Sequence, residues 1–347
     1  MNYDAILVTS FGGPECPDDA VMPFLENILR GKNVPRERML EVAEHYCHFG
    51  GKSPINDQNR QLIAALDAEL AQHGPCLPIY WGNRNWHPML TDTLRRMKAD
   101  GVNRALALVT SAYSSYSGCR QYREDIAHAQ EAAGEGAPVV DKIRAFHNHP
   151  GFVEAVADRV RHALAKIPDG RRAAAHLIYT AHSIPLAMAR GSDYEKQLKD
   201  TGRLVAEELG HKPWRLVYQS RSGPAQQPWL EPDILDCLRE IKERGGSSDV
   251  VIAPIGFVSD HMEILFDLDT QARELCVELG LHMVRAGTVG THPRFIRMIR
   301  ELICERMDQG QPRLALGALG PRPDVCAVDC CTMPGRRDRP LGLGKDS

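Results

Sequence analysis

Along the chain, short runs of β-branched and other apolar residues alternate with longer stretches whose apolar positions recur every three or four residues. The short runs end at Ser10, Tyr80, Ser111, Phe146, Thr180, Gln219, Phe257 and Ala286. Helical patterns lie between them, at 35–49, 88–100, 118–133, 152–167, 194–209, 233–244 and 260–279, and a last one covers 293–307. Pro35 suits a first helical turn, where its missing N–H is not needed, and Gly50-Gly51 suits a stop. Such an alternation predicts an α/β fold of parallel strands with helices on both faces. The units divide near His147-Asn148-His149-Pro150 into two groups of four, giving domains at 1–147 and 148–310, with the last helix packing back on the first. A closed eight-stranded barrel is the competing arrangement. Beyond Met307 the periodicity stops, and 311–347 reads as an irregular tail rich in glycine, proline and arginine.

Composition adds mainly exclusions. A chain of 347 residues can bury two cores, and 43% apolar with 25% charged residues is ordinary for a globular protein. A net charge of −3 without a basic block gives no reason to expect nucleic acid as a partner. The N-terminus runs straight into a strand-like segment, and no apolar run reaches the length of a bilayer span. A cytoplasmic protein without stable membrane insertion is expected.

In open α/β sheets ligands bind beyond the carboxyl ends of the strands, so the polar residues there carry the chemistry. Phe11-Gly12-Gly13-Pro14 is not a dinucleotide loop, because it lacks a third glycine and Pro14 removes an N–H that a phosphate cradle would use. His182 follows the run Leu177-Ile178-Tyr179-Thr180, where an imidazole can accept a proton near neutral pH or ligate Fe(II), or simply hydrogen-bond within its loop. Glu263 and Asp267 stand four residues apart at a helix start, which aims both carboxylates the same way; Gln271 continues that face and Asp269 lies off it. A capping box, Asp260-x-x-Glu263, explains Glu263 but not Asp267. A polar track on one helix face suits the passage of a cation or of protons.

Five blocks carry a family resemblance. Thr180-Ala181-His182-Ser183-Ile184-Pro185 resembles the histidine motif of the ferrochelatases, and Pro254 to Glu263 resembles their acidic motif. Tyr218 to Pro224 followed by Trp229-Leu230, Gly50-Gly51-Lys52-Ser53-Pro54-Ile55, and Ser10-Phe11-Gly12-Gly13-Pro14 match three more, all in the family's order. The resemblance implies the class II chelatase fold: two flavodoxin-like, doubly wound halves enclosing a porphyrin cleft. It implies that His182 takes pyrrole protons and binds the incoming Fe2+, that Glu263 is its acidic partner, and that Asp267 lies on the proton or metal path. Phe11, Tyr46, Tyr113, Tyr116 and Trp229 become candidates for the cleft wall, although core packing explains each equally simply. Ser53, with Arg30 or His45, could hold propionates, and Ser222 joins the porphyrin-binding candidates. Phe11 replaces a tyrosine found in some bacterial relatives, and Gln271 stands where some carry a further carboxylate.

The stretch from Arg30 to Arg38 is strongly charged where membrane-associated relatives carry an apolar lip. The sequence therefore resembles the soluble actinobacterial-type enzymes acting on coproporphyrin III more than those acting on protoporphyrin IX. Porphyrin and ferrous iron are the implied partners, with transient contact to neighbouring enzymes of heme synthesis. A cobalt chelatase of the same fold would usually pair two histidines, and a non-catalytic tetrapyrrole-binding or iron–sulfur sensor protein would not need a base opposite an acid.

Ten cysteines are present, and three of them, Cys326, Cys330 and Cys331, crowd into the tail. Four thiolates are needed for a [2Fe–2S] cluster or a structural zinc. The family resemblance points to Cys119 as the fourth ligand and to [2Fe–2S] as the group; from the residues alone zinc is the simpler reading. Cys16, Cys47, Cys76, Cys237, Cys276 and Cys304 read as packing residues or incidental thiols.

Overall fold

The structure is a computed structural model that describes residues 2–15, 20–30, 34–223 and 226–333. Cys16, residues 31–33 of the charged stretch, Pro224 and the tail after residue 333 lie outside the described residues. Among the described residues, eight strands form two separate parallel sheets, not one barrel. The first contains β1 (Ala5–Ser10), β2 (Ile79–Asn83), β3 (Arg104–Val109) and β4 (Val139–Lys142) in the order β2-β1-β3-β4. The second contains β5 (His176–His182), β6 (Trp214–Gln219), β7 (Asp249–Ala253) and β8 (His282–Arg285) in the order β6-β5-β7-β8. Both halves thus follow the flavodoxin-type order, which reverses direction between its first and third strands. All six residues of β1 and all five of β7 are buried, as continuous apolar strands covered on both faces must be.

A layer of aromatic rings joins the halves. Tyr113, Phe146, Phe152 and Phe295 pack edge to face or tilted, with centroids 5.7–6.2 Å apart. The final helix, Pro293–Met307, packs on both Pro150–Leu164 and Ile55–His73, so a helix from the chain's end rests against the first half. Arg300 bonds Glu69 at 2.9 Å across that contact.

The helix Ile55–His73 is absent from the sequence reading because its first two turns bury Asn56 and Asn59 where an amphipathic pattern would show apolar residues. Asn56 has a positional task instead: its amide donates to the carbonyls of Gly13 and His87, both at 3.1 Å, and pins the loop after β1. The expected 260–279 helix is also not uniform. It runs as Met262–Phe266, then a wide π-turn Asp267–Ala272, then Arg273–Leu279. A second π-turn, Tyr116–Arg120, precedes Gln121–Ala133 and carries Cys119. Such turns insert extra residues per revolution and are common at functional sites.

The segment after Met307 is irregular but docked. Leu316 N–H donates to Asn148 O at 2.8 Å, and the Asn148 amide returns bonds to Leu316 O and Gly320 O. Arg144, 1% exposed, forms a fork with Glu305 (2.7 and 2.9 Å) and also donates to Leu314 O.

Candidate functional site

The second sheet reverses order between β5 and β7, and the loops leaving those two strands face each other there. His182 is the last residue of β5, and Glu263 opens the helix after the β7 loop. Their side chains meet with Nε2 and Oε1 3.4 Å apart, at 30% and 46% exposure. The other imidazole nitrogen, Nδ1, hydrogen-bonds Ser183 O. A carbonyl only accepts, so Nδ1 carries the hydrogen and Nε2 is the nitrogen free to take or give a proton.

Burial by itself would lower the His182 pKa. The charge and hydrogen bond of Glu263, the Ser183 carbonyl and the charge of Asp267 more than reverse this and raise it to about 9. For Glu263 burial pulls upward, but the His182 charge and hydrogen bond and the charge of His261 lower it to about 2. The two partners agree on an ion pair. Solvent reaching both side chains weakens it relative to a sealed one.

The capping-box alternative fails on geometry. Asp260 does not cap its helix; its carboxylate takes Arg285 at 3.0 Å and Thr288 at 3.1 Å, and no side chain caps the helix at His261. Arg285 also holds Asp269 at 2.7 Å, which explains why that carboxylate lies off the track. Asp267 turns toward the end of β6, where its Oδ2 accepts from Ser220 Oγ and, at 3.3 Å, from Gln219 Nε2. Burial is the main cause pushing its carboxyl up to about 7. Ser220 adopts a φ of 63°, a conformation disfavoured for a side-chain-bearing residue and held here by the surrounding contacts. Gln271 is exposed and does not extend the buried track, because the π-turn changes the angular step after Asp267.

The first half supplies the facing wall. The helix Arg36–His48 brings His45 flat against Phe266 (centroids 3.7 Å) and Tyr46 against Phe24 (5.8 Å). Burial and the charge of Glu263 raise the pKa of the Tyr46 phenol, so its hydroxyl stays neutral beside the site. His45, considered for propionates, is thus engaged by stacking. Phe11 is 38% exposed, with the Arg84 guanidinium 5.8 Å from its ring. Ser222 and Arg30 are also exposed.

Three other wall candidates, Tyr113, Tyr116 and Trp229, and the propionate candidate Ser53 are buried. Tyr113 is 2% exposed, and its hydroxyl donates to Ile255 O across the two halves at 2.9 Å; it is a core residue. Tyr116 is likewise buried, with its hydroxyl on Glu124. Ser53 is 2% exposed and packs on Gly13, its N–H donating to Pro14 O and its Oγ accepting from Ile55 N–H; it shapes the loop after β1 and offers no open hydroxyl. Trp229, 9% exposed, pairs with Pro185 through a β-bridge and covers Gly223, supporting the His182 loop from behind.

Away from the crevice, Cys119 meets the tail. It lies beside Cys326 and Cys331, Cys326 lies beside Cys330, and the Cys330 and Cys331 sulfurs are 3.5 Å apart. The neighbouring thiols pull the Cys119 and Cys330 pKa values down and push those of Cys326 and Cys331 up. Arg120 donates to Val328 O and Cys330 O, holding the tail on the π-turn. Among the described residues, no three or more His, Cys, Asp or Glu side chains are arranged to hold a metal ion. Cys237 and Cys276 are buried, Cys304 is partly so, and Cys47 and Cys76 are exposed.

A profile of the ferrochelatases matches residues 3–307. This chain belongs to the ferrochelatase family. The ferrochelatase of Rhodopirellula baltica is 60% identical over 335 residues, covering 96% of this chain and 95% of that protein. The coproporphyrin III ferrochelatase of Streptomyces coelicolor is 52% identical over 367 residues, covering 99% of this chain and 97% of that protein. Among solved structures, SirB from Bacillus subtilis with Fe3+ superposes with a TM-score of 0.53 at 13% identity, over 89% of this chain and 99% of that one. At that identity the likeness speaks for the fold, which is the chelatase arrangement of two parallel sheets. This ferrochelatase-family chain is an enzyme, and among its described residues no helix is long and apolar enough to cross a membrane.

Proposed function

We propose that the crevice between β5 and β7 inserts ferrous iron into coproporphyrin III, with His182 and Glu263 as its catalytic pair and Asp267 as its proton relay. The observation that carries this reading is the 3.4 Å approach of His182 Nε2 to Glu263 Oε1 at the sheet's reversal point, with Asp267 behind them. Insertion releases two pyrrole protons as Fe2+ enters, and no electron changes hands. The resting imidazole holds a proton because of Glu263. A divalent cation arriving beside the carboxylate opposes that charge, so the proton leaves and Nε2 becomes a base for the ring N–H groups. Asp267 titrates near neutrality and can accept and pass on protons without a large barrier.

Phe11, Tyr46 and Ser222 are proposed to meet the ring directly, with Trp229 acting through the His182 loop. Coproporphyrin is favoured over protoporphyrin by the relatives that carry its name and by the charged stretch beginning at Arg30. The test is anaerobic insertion of Fe(II) into both rings by wild-type protein and by His182→Ala. Faster metallation of coproporphyrin, lost in the variant, supports the reading. Preference for protoporphyrin overturns the substrate, and full activity of His182→Ala overturns the site.

Cys119, Cys326, Cys330 and Cys331 are proposed to hold a [2Fe–2S] cluster. The Cys330 and Cys331 sulfurs lie 3.5 Å apart with Cys119 and Cys326 beside them, and four thiols from two segments are the number that group takes. When bound, the cluster would supply one-electron chemistry and a covalent tie between tail and body. Visible bands with two irons and two sulfides per chain, lost in Cys119→Ser, are expected; one zinc per chain would overturn it.

A further inference from the structure

We infer that Gln219 is a positioning residue that sets the distance between the two sides of the crevice. It lies at the end of β6, 1% exposed, and has contacts in three directions. Its backbone carbonyl accepts the Ser183 N–H at 2.8 Å, which fixes the turn directly after His182. Its side-chain amide donates to Glu263 O at 3.2 Å and to Asp267 Oδ2 at 3.3 Å. One residue therefore ties the base-bearing loop of β5, through its backbone carbonyl, to both ends of the acidic helix turn, through its side-chain amide.

The direction of the amide follows from chemistry. Glu263 O and an ionised Asp267 both only accept, so the NH2 group must face them. This leaves Gln219 Oε1 buried without a donor. Buried polar groups are normally satisfied, and an exception calls for an explanation. Here the explanation is that the amide is kept for what it holds and not for packing. Gln219 touches neither the porphyrin nor the iron and acts through Glu263 and Asp267, so its role rests on the proposed roles of His182, Glu263 and Asp267.

The test uses Gln219→Met, which keeps length without a donor, and Gln219→Glu, which keeps shape but replaces the donor with an acceptor. Both are compared with His182→Ala in anaerobic Fe(II) insertion, with porphyrin affinity read separately by fluorescence quenching and folding read by thermal melts. We expect kcat to fall roughly ten- to a hundredfold in both Gln219 variants, because small misplacements of catalytic groups cost that much. Porphyrin Kd should stay within about twofold, since uniform binding is untouched. Wild-type kcat in the Gln219 variants with an inactive His182→Ala would overturn the positioning role and leave the site standing. A parallel loss of kcat, porphyrin affinity and melting temperature would assign Gln219 to the fold alone and also overturn it. Full activity of His182→Ala would overturn both, since Gln219 would then have nothing to position.

Discussion

The charge state of His182 depends on one neighbour. Burial and Glu263 pull its pKa in opposite directions, and Glu263 prevails. Removing that carboxylate in Glu263→Gln should bring the imidazole from about 9 down to its ordinary value near 6.5 or lower, read by NMR titration of 15N-labelled histidine. A titration that stays near 9 would mean Glu263 is not the cause. The same shift has a stability signature. The folded His182 value exceeds the unfolded one, so the pair's contribution is complete below about pH 6.5 and fades as pH rises through about 9. For Glu263 the folded value is depressed, so its contribution is present above about pH 4.5 and is lost as pH falls through about 2. Asp267 responds to Ser220 in the opposite sense. The Ser220 hydroxyl lowers a carboxyl that burial raises, so Ser220→Ala should move Asp267 above about 7 and carry the corresponding limb of the kcat–pH profile to higher pH.

Individual elements are held in register by close backbone approach. Gly256, at the start of the loop after β7, lies directly over the end of β5. A Cβ added there would sit 2.6 Å from Ala181 Cβ and 2.7 Å from its Cα, with no flexible side-chain end to yield. Gly256→Ala should therefore push the Glu263 loop away from His182. About 1–3 kcal/mol of stability would be lost in denaturant titration, together with a fall in kcat. The loop is secured at its other end by Arg285, which joins Asp260, Asp269 and the Ala286 carbonyl. This is why an apparent capping box does not cap: a partly buried guanidinium offers Asp260 more than two helix N–H groups would. The π-turn after Phe266 brings Asp267 to Ser220 and sends Gln271 to solvent, a difference that a regular 3.6-residue helix does not anticipate.

At the scale of the molecule, the two halves share a core and the tail binds both. The Arg144–Glu305 fork is almost fully buried and anchors the start of the tail through Leu314. Arg144→Ala leaves Glu305 buried and facing the more distant Arg313 at 3.7 Å. A loss of about 3–5 kcal/mol in urea unfolding is expected, the usual result of stranding one member of a buried pair. Farther along, Arg322 pairs with Asp193 at 2.8 Å, and the adjacent Tyr194 hydroxyl donates to His182 O at 3.1 Å. The tail therefore reaches, through one short segment, the strand end that presents His182.

Alternation of apolar runs and helical periods was enough to determine eight parallel strands, their approximate ends and most of the helices. Both properties are local: β-branched runs and 3.6-residue periods need no knowledge of distant contacts. The polar residues at strand ends brought His182, Glu263 and Asp267 into view for the same reason, and thiol clustering did so for the tail cysteines. Periodicity does not say which strands pair, so two sheets over one barrel followed only from the family resemblance and was decided by the tertiary structure. It also decided that Tyr113 and Ser53 are buried and that Asp260 serves Arg285. Gln219 shows the limit most clearly: it stands in the sequence as a polar residue at a strand end, and its task exists only once β5, β6 and the acidic turn converge on its amide.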